Sequence, residues 1–174
     1  ACGVDVNAAS IEYCHKKGLQ AIVGKFPNPI LSGRIFDAVI MNDVIEHLPD
    51  PRRALAEARA LLSLGGVLFL STPDIGAIIA RLSGNRWLHL KPTEHLTYFN
   101  RHNLLQLLSE VGFKTICCYS VGRNRSLSTI IDRMTTYSNI LSRVARAAVP
   151  DHIARRIHFP VNLGDEMGVL AMRD

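Results

Sequence analysis

The chain has 174 residues, of which 48% are hydrophobic and 20% charged; this is enough apolar material for one buried core and too much for a disordered segment. Its formal charge of +5 permits weak attraction to anionic partners without defining one. Cys2, Cys14, Cys117 and Cys118 form no C-x-x-C pair and have no histidine at zinc spacing, so they read as reduced thiols of a cytoplasmic protein, and no metal site is expected. No apolar run reaches the ~18 residues of a membrane span, and no signal-peptide pattern is visible.

Ala1–Val6 reads as a short strand, so the sequence opens inside an element. Asn7 then caps a helix with Ile11 and Cys14 on one face, and Gly18 ends it. Leu19–Gly24 is the second strand. Lys25–Arg34, with two prolines and a glycine, is a turn-rich loop. Ile35–Met41 is a strand with apolar residues on both faces, the pattern of a parallel sheet covered by helices. Asp50 and Pro51 sit at the N-cap and first position of a helix. Ala54, Leu55, Ala58, Leu61 and Leu62 give it a buried stripe, and Gly65 and Gly66 are expected to stop it.

Val67–Thr72 is the next strand, followed by a short helix within Asp74–Gly84. An irregular segment covers Asn85–Phe99. Asn100 caps a helix whose Leu104, Leu105, Leu108 and Val111 point inward, and Gly112 closes it. Phe113–Val121 is a strand. Leu127, Ile130, Ile131, Met134, Leu141, Val144 and Ala148 recur at helical spacing, which predicts one amphipathic helix over 126–149 with Arg133, Arg143 and Arg146 on its polar face. A basic piece, His152–Phe159, precedes a last strand at Glu166–Arg173. Strands alternating with helices indicate an α/β domain with a mostly parallel sheet.

Four short runs stand in a telling order: Phe36-Asp37-Ala38-Val39, Glu46-His47-Leu48, Gly65-Gly66-Val67-Leu68 and Ser71-Thr72-Pro73. Together they resemble the second half of a class I methyltransferase domain, the Rossmann-like fold that uses S-adenosylmethionine. Glu94–Phe113 is similar to a segment of bacterial members, and Leu163–Arg173 resembles their last strand. The resemblance implies a Rossmann-like sheet with a C-terminal antiparallel strand, and a single partial domain over 1–174. It also implies an acceptor-site lid at 84–99 and a helical insertion at 126–160 before the last strand. The family's first strand and its Gly-rich loop have no counterpart here. The chain therefore reads as a fragment cut on its N-terminal side, with two unpaired sheet edges.

The same resemblance assigns candidate site residues. Asp5 would accept hydrogen bonds from both ribose hydroxyls of the cofactor, with Val6 beside it. Lys25 stands where the family often has an adenine-accepting Asp and cannot accept, which leaves the Phe26 backbone N–H and apolar contact to hold the ring. Asn42 and Asp43 end a parallel strand, where ligands bind in open α/β sheets; the alternative is local turn bonding. Glu46 and His47 would shape the loop beside the cofactor, His47 being either a general base or a structural histidine bonded to backbone. His95 is the preferred base for an oxygen acceptor, or else it locks the lid. Trp87, His89, Glu94 and Tyr98 are its neighbours in sequence, and the two aromatics would stack on a substrate or serve as core.

The function implied is methyl transfer from S-adenosylmethionine to a small molecule in the intact parent, by O-methylation of a sugar or related metabolite. The alternative is a truncated, non-catalytic domain acting through partner binding or self-association. The basic helical region at 126–160 is read as closing the acceptor pocket in preference to lying on a membrane. Scattered arginines without a stacking platform do not make a nucleic-acid interface.

Overall fold

Three sheets organise the computed structural model, which describes residues 1–135 and 138–174. In chain order the elements are β1 (Gly3–Asp5), α1 (Ala8–Lys16), β2 (Ala21–Val23), β3 (Phe36–Asn42), α2 (Pro51–Ala60), β4 (Leu62–Pro73), α3 (Ile78–Ser83), α4 (Arg101–Val111) and β5 (Phe113–Ser120). They continue with β6 (Arg123–Ser126), α5 (Leu127–Met134), α6 (Asn139–Ala148), α7 (Asp151–Ala154), β7 (His158–Val161) and β8 (Glu166–Arg173). β1 and β2 pair in parallel. The main sheet has the order β3-β4-β8-β5, with β3 parallel to β4 and β8 antiparallel to both its neighbours. β6 and β7 form an antiparallel ribbon. The α/β class and the antiparallel final strand are as the sequence predicts.

Local chemistry explains the helix boundaries. The Asp50 carboxylate accepts from the Arg53 N–H, and Pro51 opens α2 without losing a hydrogen bond. α4 begins with a reciprocal capping box between Asn100 and Asn103. It ends at Gly112, whose φ of +90° suits glycine. The core forms where these two helices cover one face of the main sheet. Leu55 and Ala58 of α2, Leu104 and Leu108 of α4, Leu68 and Leu70 of β4, and Val169 and Ala171 of β8 belong to one buried cluster. Burying each such leucine contributes about 1.5–3 kcal/mol.

Three local expectations are corrected. Gly65 and Gly66 do not stop α2, which ends at Ala60; they lie inside β4. Leu62 already pairs with Phe36, and the register shifts before Ala38 meets Val67. A side chain at Gly66 would sit 2.8 Å from the Ser63 carbonyl oxygen, so the glycine serves this irregular crossing. The single helix expected over 126–149 is two helices. Ser138 caps the second, its hydroxyl accepting from the Leu141 N–H at 3.4 Å. Thr136 and Tyr137, within the expected helix, lie outside the described residues. The apolar stripe is buried only at Ile131, whereas Leu141 and Val144 are exposed.

β3 also departs from the expected pattern. Its two faces are not both covered, and Ile40 is 66% exposed. α2 and α4 cover one face of the main sheet and leave Ile40 open on the other; among the described residues β3 pairs only with β4, and the β1–β2 pair makes a separate sheet. A cavity of about 420 Å³ lies between β1 and β3, walled by Cys2, Val4, Phe26, Val39 and Met41 among others. Among the described residues no helix is long and apolar enough to cross a membrane.

Candidate active site

The C-terminal ends of β1, β2 and β3 carry the predicted cofactor residues. Asp5 is exposed, and one carboxylate oxygen accepts from the Asn7 N–H at 2.7 Å. Val6, Lys25 and Asn42 are also exposed. Phe26 is half-buried, packs against the core and lines the cavity between β1 and β3.

Asp43 turns the chain out of β3 with φ +50°, the left-handed region that aspartate tolerates better than most residues. Its side chain is fixed from two sides. Ser71 of β4 donates to it at 3.2 Å, and the Arg123 guanidinium pairs with its other oxygen. The next residues form a tight turn over Ile45–His47, anchored by the fully buried Ile45.

On this turn Glu46 is 2% exposed and accepts from the Thr72 hydroxyl at 2.9 Å. Its backbone carbonyl accepts from both Leu96 and Thr97, at 2.8 and 3.1 Å. Those bonds tie the turn to the segment carrying His95. His47 turns outward, with Nδ1 2.8 Å from the Glu94 carbonyl oxygen. His95 is buried, and its ring meets the His47 ring edge-on at 4.8 Å. The structure therefore brings Glu46, His47 and His95 together, with Tyr98 next to His95. Burial pushes the Glu46 carboxyl above its ordinary range. Burial, helped by the nearby His47, lowers the His95 pKa.

A second polar cluster adjoins Asp43. His89, Arg123, Arg125, Arg133, Asp165 and Glu166 share one small pocket. Arg123 bridges Asp43 and Glu166, and Arg125 lies 3.5 Å from Glu166. His89 faces Asp165 and Glu166 at 3.7 and 3.5 Å. Burial nevertheless lowers its pKa, outweighing both carboxylates. Trp87 is buried and donates its indole N–H to Asp165 at 2.9 Å, so it is a packed residue behind Asp165 and not an open stacking surface.

Sequence reasoning missed Thr72, Arg123, Arg125, Asp165 and Glu166 as members of these clusters. It placed Arg133 on an outer helix face, whereas Arg133 lines the pocket. The acidic pair at the start of the last strand, beside two arginines at alternate positions 123 and 125, was the available signal.

The fold is that of a Rossmann-like domain of the methyltransferase type. The family described as Methyltransferase domain matches residues 1–117, and the chain belongs to it. An uncharacterized protein of Methanocaldococcus jannaschii is 23% identical over 114 residues, covering 66% of this chain and 56% of that protein. The chain thus spans little more than half of that relative. A SAM-dependent methyltransferase of Thermotoga maritima superposes with a TM-score of 0.63 at 19% identity, covering 99% of this chain and 72% of the other. An N-methyltransferase of Bradyrhizobium japonicum, solved with S-adenosylhomocysteine, superposes with a TM-score of 0.54 at 14% identity, covering 99% and 65%. The cofactor of this family is S-adenosylmethionine.

Proposed function

We propose that the protein to which this domain belongs transfers a methyl group from S-adenosylmethionine to an oxygen of a small hydroxylated metabolite, a sugar or a relative of one. The observation that supports a polar acceptor is the charged lining of His89, Arg123, Arg125, Arg133, Asp165 and Glu166; the space they enclose, about 30 Å³, admits one polar group of the acceptor and not a whole sugar ring. The cofactor residues of this reading are Asp5 and Val6 for the ribose, Lys25 and Phe26 for the adenine, and Asn42 and Asp43 for the cleft wall. The segment 84–99 acts as the lid over the acceptor, and 126–160 closes the far side.

Transfer is an in-line displacement at the sulfonium methyl. The protein's work is alignment and removal of the acceptor proton. His95 is the base of this reading, with His47 as its neighbour; the lowered His95 pKa keeps the imidazole neutral and able to take a proton near pH 7. The test is formation of S-adenosylhomocysteine from S-adenosylmethionine with a panel of hexoses and nucleotide-activated hexoses. Turnover that falls at least tenfold in Arg125→Ala through KM supports the acceptor pocket. Turnover confined to amines overturns the oxygen assignment.

A second reading rests on the edges of β1 and β3, unpaired among the described residues, with Ile40 exposed beside an apolar cavity. In it the domain self-associates through those edges and is not catalytic. Concentration-dependent dimerisation without cofactor binding distinguishes it.

A further inference from the structure

Glu46, His47 and His95 each present one ligating atom, and these atoms lie within 4.8 Å of one another. Their protonation can be followed atom by atom. His47 Nδ1 faces a backbone carbonyl, which only accepts, so Nδ1 carries the hydrogen. A neutral His47 therefore keeps a lone pair on Nε2. That atom lies 4.0 Å from Glu46 Oε1, a separation too long for a hydrogen bond. The other Glu46 oxygen is already occupied by the Thr72 hydroxyl. A lone pair and a carboxylate oxygen thus face each other across a gap. The third member supplies an independent sign: His95 is 7% exposed, and its Nδ1 is buried with no hydrogen-bond partner among the described residues. Buried polar atoms are rarely left unpaired without a reason.

We propose that Glu46, His47 and His95 form a binding site for a divalent transition-metal cation of the zinc or cobalt type. Two imidazoles and one carboxylate suit such borderline ions better than magnesium or calcium, which prefer oxygen. Three protein ligands leave at least one position open to water or to an oxygen of a bound molecule. Metal–ligand bonds of about 2.0–2.2 Å require the three side chains to draw in slightly from their present spacing. The backbone is already set for this. The Leu96 and Thr97 amides hold the Glu46 carbonyl, and His47 is steered by the Glu94 carbonyl in the manner of an outer-shell partner. His47 faces solvent and gives the ion an entry path.

The site stands on these side chains and not on the methyl-transfer reading. It is measured without cofactor or acceptor, so its failure would leave His95 as a base, whereas its success would withdraw His95 from that role and leave the methyl-transfer reading resting on alignment. The experiment titrates the chain with cobalt chloride, following visible d–d absorption and bound metal after dialysis. One cobalt per chain is expected, with affinity lost at least tenfold in both Glu46→Gln and His47→Gln and unchanged in the surface control His102→Gln. Circular dichroism confirms that each variant is folded, and Glu46→Gln preserves shape even if His95→Ala does not fold. Absence of saturable binding, binding indifferent to Glu46→Gln and His47→Gln, or thiolate charge-transfer absorption placing the ion on cysteine would each overturn the proposal.

Discussion

Asp43 shows how one side chain joins distant parts of the chain. It takes a left-handed conformation, accepts from Ser71 and pairs with Arg123, so the end of β3, the interior of β4 and the start of β6 are fixed together. The sequence placed Asp43 at a strand end and left its partners open, since Arg123 lies 80 residues away and no local pattern reports so distant a pair. Asn42, by contrast, remains an exposed strand-end residue. His89 gives a pH test at this scale. It is flanked by Asp165, Glu166, Arg133 and Asp43, yet burial lowers its pKa below the ordinary value of about 6.5. The unfolded chain therefore binds more protons than the folded one as pH falls below about 6.5. Stability should decline on acidification from there down through the folded pKa. Urea denaturation across pH 5–8, a window of about three units around that value, should show this slope in the native chain and a shallower one in His89→Gln. An unchanged slope would mean that His89 stays charged in the fold.

Among elements, the helices with strong caps were legible. Asn100 and Gly112 bracket α4, and Asp50 with Pro51 opens α2, because caps act within one turn of chain. Leu104 of α4 is fully buried in the core cluster. Leu104→Ala should destabilise the domain by about 2–5 kcal/mol in chemical denaturation. Asp50→Ala should cost less, about 0.5–2 kcal/mol, through loss of the α2 cap. Helical periodicity misled where it ran on through 126–149. It reports spacing and not continuity, and Ser138 restarts the helix as α6. The glycine pair misled for a related reason. Glycine ends helices and also permits irregular strands, and only the pairing of Leu62 with Phe36 decides between them.

For the whole molecule, the antiparallel β8 is the feature that the family resemblance implied. The Glu46–His47–His95 grouping was only half legible. Glu46 and His47 are neighbours in sequence, while His95 arrives through the backbone bonds of Leu96 and Thr97 to Glu46. The open edges of β1 and β3 are the fold's exposed flank. If they associate, sedimentation velocity should show a dimer that grows with concentration, and Ile40→Lys should shift it to monomer. A monomer at all concentrations removes that reading.

The claim on which the rest depends is that this chain carries a cleft for S-adenosylmethionine at the ends of β1, β2 and β3. Calorimetric titration with S-adenosylhomocysteine tests it most directly. Saturable binding of one ligand per chain is expected, weakened about tenfold or more in Asp5→Ala through loss of hydrogen bonds to a carboxylate. No heat of binding at about 1 mM ligand, or full affinity in Asp5→Ala, would contradict it.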